Sequence, residues 1–305
     1  MDSTPDSPFP AQPLTGRDYE ISAAGYRATV CEQGATLRSL TLEGSDLVLP
    51  SAAGTLPEGS RGQQLTPWPN RIRDGHYVFD GADQQLAVNE VDRNNAIHGL
   101  VRWMFFDAVE HTADSITQTV EVPAQPGWPG RIEITVTHRV GADGLTVEVG
   151  ARNVGPTALP FGYAPHPYLV AGQGPIDDWQ VSAPFGTYLV TDDRLLPIQL
   201  ASVARRPEDL RAGDRFGDRV LDTAYTGTTE SGRWQVEIRN GATTRVLWAD
   251  PELGWTQIYT PDDRASLAVE PMTCGPDAFN EGPTHDSMLR LGPGDEVHLR
   301  WGIHA

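Results

Sequence analysis

Lysine is absent from this chain of 305 residues; all 23 basic side chains are arginine. No Schiff base can form on a side-chain amine, no pyridoxal phosphate can be anchored through one, and a Walker-A loop would lack its lysine. Cysteine is almost as scarce. Cys31 and Cys274 form no metal-ligand spacing and can pair only if the fold brings them together, so two free thiols in a cytoplasmic protein are expected. Positive charge is outnumbered, 23 basic against 41 acidic side chains, and the net charge of −18 argues against nucleic acid or an anionic membrane as partner. No apolar run approaches the roughly 18 residues of a membrane span. Residues 1–16 are polar and proline-rich, without the basic start and apolar centre of a secretory signal, and read as a disordered leader. HExxH, CxxC and GxSxG do not occur, so neither a metal site nor an esterase nucleophile is indicated. We expect no metal and no cofactor. Amphipathic helices of three turns are missing too; the best candidate, near Pro207 to Arg211, spans a turn or two.

What is present is alternation. In Arg131 to Val140 apolar residues fall on every second position, and Leu145, Val147, Val149 and Ala151 repeat this after Gly141-Ala142-Asp143-Gly144, which reads as a hairpin. Trp234, Val236 and Ile238 form another such face, followed by the turn Asn240-Gly241 and Val246 to Trp248. Val297, Leu299, Trp301 and Ile303 form a third. Earlier strands are expected at Tyr26–Glu32, Thr36–Leu42, His76–Asp80 and Trp103–Glu110. With 31 Gly and 25 Pro to make turns, the chain reads as all-β, a large antiparallel β-sandwich forming one domain over residues 17–305. Ala201 to Gly232 has few periodic apolar residues and reads as a long loop, the kind that is usually functional or mobile.

Five places carry candidate chemistry. His166 lies between Pro165 and Pro167, which disfavour both helix and central strand and leave a stiff, extended segment holding an imidazole. Imidazole is the side chain whose unperturbed pKa is nearest neutrality. Asn70-Arg71 follows a proline-stiffened approach, Pro67-Trp68-Pro69, and suits a bidentate contact to paired oxygens. His98-Gly99 follows two turn-forming asparagines, where backbone and ligand approach closely. Glu270 is delivered by the apolar run Ser266 to Val269, so its carboxyl should be desolvated and a stronger base. Asp222 follows an apolar anchor, Val220-Leu221, in the long loop region. Each has a structural alternative: a packed turn histidine, a surface salt bridge, a backbone-bonded loop histidine, a buried ion pair and a turn cap. His138, on an apolar strand face, reads as a hydrogen-bonded core histidine.

Taken in order, Asn70-Arg71-Ile72 with Asp74-Gly75-His76-Tyr77, His98-Gly99, Pro165-His166-Pro167-Tyr168, Leu221-Asp222 and Glu270-Pro271 resemble the aldose 1-epimerase (galactose mutarotase) family from about Tyr19 to Trp301. After His166 the chain reads Pro-Tyr-Leu where many members carry Tyr-Phe-Asn, which points to a divergent bacterial branch. The resemblance implies a galactose mutarotase-like supersandwich with an open sugar cleft, Glu270 as base, His166 as acid, and Arg71, His98 and Asp222 on sugar hydroxyls, with Asn70 beside them. Interconverting anomers needs one proton taken from the C1 hydroxyl and one given to the ring oxygen, for which a carboxylate and an imidazole suffice. Trp68, Tyr168 or Trp255 would supply an apolar wall. Expected is a cytoplasmic monomer or homodimer acting on a hexose such as glucose or galactose. Three other readings compete: a mutarotase for a phosphorylated or sulfonated hexose, with Arg73 or Arg102 joining Arg71 as an anion clamp; a non-catalytic carbohydrate-binding protein; and a glycoside hydrolase using Glu270 and Asp222.

Overall fold

Ile132–Gly141 and Gly144–Asn153 pair as the hairpin that the alternation predicts, in continuous register from Ile132↔Asn153 to Gly141↔Gly144. The computed structural model describes residues 13–305, and this hairpin lies at the centre of its largest sheet. That sheet has eight antiparallel strands, in spatial order Asp107–His111, Ser115–Val122, Ile132–Gly141, Gly144–Asn153, Glu296–His304, Thr243–Ala249, Trp234–Asn240 and Gln180–Ser182. A second sheet of six orders Tyr168–Leu169, Leu267–Met272, Trp255–Tyr259, Asp222–Thr228, Phe185–Thr191 and Pro197–Ser202. A third, of four strands, runs from Asp18–Ala23 to Ser45–Asp46.

The period of two aims alternate side chains inward. Val136, Val147 and Trp301 from the eight-stranded sheet and Phe185, Ile258 and Val269 from the six-stranded one join a single apolar core. Phe185 meets Trp234 edge-on at 5.0 Å, bridging the two sheets. Leu267–Met272 is buried at every position, as a strand covered on both faces must be, and it carries Glu270.

Some expectations change. Trp103–Glu110 is not one strand: Met104 N donates to Val101 O, closing a tight turn, Phe105 makes an isolated bridge to Gln33, and a strand forms only at Asp107–His111. The helix sought at 207–211 is a series of turns, with Arg206 N on Val203 O and Asp209 N on Arg206 O. Proline at 207 has no N–H with which to continue a helix. The long loop of 201–232 contains the strand Asp222–Thr228, so Asp222 opens a strand. Of the expected leader, residues 1–12 lie outside the described residues. Thr15 is buried, its hydroxyl accepting from Arg38 Nη2 at 2.6 Å and its carbonyl from the Cys31 thiol at 2.9 Å. Cys31 and Cys274 are both buried and unpaired. His138 is buried as expected, but neither ring nitrogen has a hydrogen-bond partner among the described residues. It faces Ile116 and Val147 across the ladders, which offer none, and burial pushes its pKa down to about 3.

Gly99 shows how tightly the site end is packed. Its φ is +67°, and a Cβ there would lie 2.2 Å from the Thr66 carbonyl oxygen. Gly99→Ala is therefore expected to lower stability by at least about 2 kcal/mol, combining left-handed strain with overpacking. Urea denaturation measures this, and an unchanged midpoint would contradict the packing.

Candidate active site

His166 and Glu270 reach one cavity from neighbouring strands. Ala164–Pro165 pairs with Gln64–Leu65, and Tyr168–Leu169 pairs with Leu267 and Ala268, so His166-Pro167 is the link between two short strands. Its backbone is fixed on both sides: His166 N donates to Gln63 O at 3.1 Å, and Gly62 N donates to His166 O at 2.9 Å. The missing N–H of Pro167 costs nothing here, because only its carbonyl is used, by Val269 N at 3.2 Å. This is the stiff, extended placement that the flanking prolines predict.

Glu270 lies within its strand rather than at the end of it, since pairing continues through Pro271 and Met272. Its Oε1 is 3.4 Å from His166 Nε2, and both side chains are buried. Neither His166 Nδ1 nor Glu270 Oε2 has a hydrogen-bond partner among the described residues. Desolvation dominates both titrations. Burial raises the Glu270 carboxyl well above the ordinary range, Asp222 adds to this, and Arg71 opposes it. Burial lowers His166 to about 3, and the Arg102 guanidinium adds to that. Burial thus favours a protonated carboxyl beside a neutral imidazole, so that one proton serves the pair. Moving it to the imidazole creates the ion pair without changing the proton count.

The cavity around this pair has a volume of ≈ 310 Å³, and Asn70, Arg71, His98 and Asp222 also line it. All six residues singled out from the sequence are therefore brought together. Arg71 makes the bidentate contact expected of it, but to Glu90: Nε donates to Oε2 at 2.9 Å and Nη2 to Oε1 at 2.9 Å. Its Nη1 donates to Asn70 Oδ1 at 3.0 Å, and Nη2 lies 3.9 Å from Asp222 Oδ2. Asn70 Nδ2 donates to Gln257 Oε1 at 3.3 Å, and Gln257 Nε2 donates to Asp222 Oδ1 at 2.5 Å. This network fixes each polar group before any ligand arrives. His98 holds a left-handed backbone, φ +65°, and its ring meets that of His166 edge-on at 5.5 Å. Burial, then the neighbouring His166, Arg102 and Arg71, keep it neutral by lowering its pKa well below the usual value.

Tyr168 supplies an aromatic wall, stacked on His166 at 5.0 Å with its hydroxyl donating to Gly59 O at 2.8 Å. Trp68 is packed against Phe279 in the core, and Trp255 belongs to a smaller buried cluster; neither lines the cavity. Arg73 is bound to Asp277 away from the cavity. Arg102 is not a lining residue but donates from Nη1 to Ser60 Oγ, which is one, at 3.1 Å. Reading the sequence missed Gln257, Tyr259 and Arg93, which line the cavity, and Glu90, which neutralises Arg71. For Gln257 and Tyr259 no local pattern marks the site: Trp255-Thr256-Gln257-Ile258-Tyr259 does not alternate, and only the register sets Gln257 opposite Glu270 and Tyr259 opposite Asp222. Among the described residues no helix is long and apolar enough to cross a membrane, and no cluster of His, Cys, Asp and Glu could hold a metal ion.

A polar cavity holding a buried carboxyl beside a buried imidazole, on a galactose mutarotase-like antiparallel supersandwich, defines the class of fold, and comparison with known proteins gives the family. The family model for aldose 1-epimerase matches residues 17–303, and the chain belongs to that family. It is similar to the uncharacterized protein YihR of Escherichia coli, 32% identical over 95% of this chain and 94% of that one. It is also similar to human galactose mutarotase, 27% identical over 94% and 93% of the two chains. Among solved structures, an aldose epimerase homologue from C. elegans superposes with a TM-score of 0.82 at 21% identity, covering 94% of this chain and 98% of that one, which shows the shared fold.

Proposed function

We propose that the protein is a cofactor-independent aldose 1-epimerase that interconverts the α and β anomers of a free, neutral hexose such as glucose or galactose. The observation that carries this reading is the 3.4 Å contact of Glu270 Oε1 with His166 Nε2 inside a cavity of monosaccharide size. A volume near 300 Å³ is at the small end for ligand pockets and matches one sugar ring. The sugar enters between the two groups. As carboxylate, Glu270 takes the proton from the C1 hydroxyl; as imidazolium, His166 gives one to the ring oxygen, and the C1–O5 bond breaks. The C1–C2 bond rotates, and closure on the other face returns both protons. Asn70, Arg71, His98 and Asp222 hold the remaining hydroxyls, while Tyr168 covers an apolar face of the ring. Arg71 and Arg93 are already paired with Glu90, which leaves this end of the cavity without a free cation for an anionic sugar.

One observation favours a second reading, a phosphorylated or sulfonated hexose. Arg61, over the Tyr168 ring, and Arg102, on Ser60, have no carboxylate partner among the described residues. Anomer exchange measured by NMR on glucose, galactose, glucose 6-phosphate and a 6-sulfonated glucose separates the two. Catalysis of the neutral sugars above the spontaneous rate is the expected result. Activity confined to the charged sugars would move the assignment to the second reading. Binding with no exchange of any sugar would leave a carbohydrate-binding protein, and release of sugar from an aryl glycoside would indicate a hydrolase.

A further inference from the structure

The two halves of the site belong to different parts of the fold. Glu270, Asp222 and Gln257 sit on the six-stranded sheet, whereas Arg71 lies on the short strand Arg71–Arg73, paired with Asn95–Ile97. His98 follows that second strand, and its N–H donates to Asn70 O at 2.8 Å. Something must hold the two halves in one geometry, because hydroxyl recognition fails when donors drift by about 1 Å.

We infer that Arg194, outside the cavity, is a positioning residue that latches the Glu90–His98 segment to the six-stranded sheet and thereby holds Arg71, Asn70 and His98 opposite Glu270 and Asp222. Arg194 sits in the turn joining Phe185–Thr191 to Pro197–Ser202, two strands of that sheet. The turn is itself braced, with Arg194 N and Leu196 N both donating to Asp192 Oδ1 at 2.9 Å. From it the guanidinium crosses to the other half. Nε donates to Arg93 O at 2.9 Å, and Nη2 donates to Asp74 Oδ1 at 2.7 Å, Asn94 O at 2.9 Å and Asn95 Oδ1 at 3.3 Å. Asn95 answers with its own amide, donating to Arg194 O at 3.2 Å and to Glu90 Oε2 at 2.9 Å. Glu90 is the carboxylate that clamps Arg71. The path Arg194–Asn95–Glu90–Arg71 therefore runs from one half of the site to the other through consecutive hydrogen bonds.

Backbone geometry gives the latch work to do. Asn70, Asp74, Asn94 and His98, and Leu195 beside Arg194, all hold left-handed φ angles between 52° and 65°. For residues other than glycine such an angle is strained and persists only where surrounding contacts over-determine it. Four of the five lie in the segments that Arg194 gathers. A lysine could not replace it, since one ammonium cannot span four acceptors held at fixed angles by a planar fork.

This inference rests on the mutarotase reading, and the test keeps the two separable. Arg194 does not touch the acid–base pair, so its loss should weaken sugar binding and leave the proton transfers intact. Arg194→Ala is expected to raise KM for the hexose roughly tenfold while kcat stays within about threefold, which is the loss of a hydrogen-bonded clamp expressed as binding. With a side chain 36% exposed, Arg194 is not a core group, and circular dichroism should show a folded protein. Should the alanine variant unfold, Arg194→Lys carries the same test, with an expected rise in KM of at least about threefold. An unchanged KM in a folded variant, or a fall in kcat with KM unchanged, overturns the latch. A wild-type protein that exchanges no anomers overturns the mutarotase reading instead.

Discussion

Glu270→Gln is expected to slow anomer exchange by about 10²–10⁴, the usual contribution of a positioned base, and at the same time to make the folded protein more stable near neutral pH. The two effects share one cause. Glu270 is desolvated in a fully buried strand, and its carboxyl holds a proton to well above the ordinary pH range. Above about pH 4.3 the unfolded chain has released that proton while the folded chain keeps it. The native state then binds more protons than the unfolded state, so stability falls as pH rises, by about 1.4 kcal/mol per unit, until the raised pKa is passed. His166 acts in the opposite sense: burial lowers it to about 3, so stability rises with pH between there and about 6.5. The two slopes partly cancel in weakly acidic solution. Comparison of wild type with the glutamine variant removes the His166 slope, which both proteins share, and leaves that of Glu270. Glutamine has no proton to lose, so its stability advantage over wild type should widen as pH rises above about 4.3, until the raised pKa of Glu270 is passed. Thermal melts of both proteins at pH 5, 6 and 7 measure this. A variant that loses activity and also melts lower at every pH would make Glu270 one arm of a structural ion pair.

The contrast between what was legible in the sequence and what was not follows the range of the interactions. Proline acts on its neighbours, so the pair around His166 defines an extended, stiff segment, and His166 lies between two short strands. Apolar alternation is equally local, and it located the central hairpin with its turn. The run before Glu270 announced burial for the same reason. Asp222 was misplaced because Asp222–Thr228 includes Gly227 and shows weak alternation, which hid a strand inside a charged stretch. Glu90 and Gln257 carried no local mark at all. Glu90 matters because a distant loop returns it to Arg71, and Gln257 because the register of two adjacent strands puts it beside Glu270. The sequence marks groups that do chemistry through stiffness and burial near them; the groups that hold those in place become visible only once strands are paired.

His166→Asn should remove about 10²–10⁴ of the rate with KM changed by no more than a few-fold, because the imidazole acts on the ring oxygen while other residues hold the hydroxyls. The double variant His166→Asn, Glu270→Gln discriminates more sharply. If the two groups acted independently, their losses would multiply. The geometry argues against that: the two are 3.4 Å apart and buried, and burial favours the protonated carboxyl and the neutral imidazole, so one proton serves both and each role requires the other. With no imidazole to receive its proton, the Glu270 carboxyl stays protonated and cannot serve as base. With no carboxyl beside it, an imidazole lowered to about 3 carries no proton to give. Either single loss therefore disables both transfers, and the double variant should be no slower than the slower single one. Residual exchange in all three would come from hydroxyl binding alone, as expected when residues work as a unit. Anomer exchange of α-glucose followed by NMR for the four proteins closes the cycle. A double variant slower by the product of the single losses would show two separate catalysts in place of a coupled pair. The pH profile offers an independent check. Activity should follow the one-proton state of the pair, declining at high pH where that proton leaves and at low pH where a second is gained, without a step at the ordinary histidine value near 6.5.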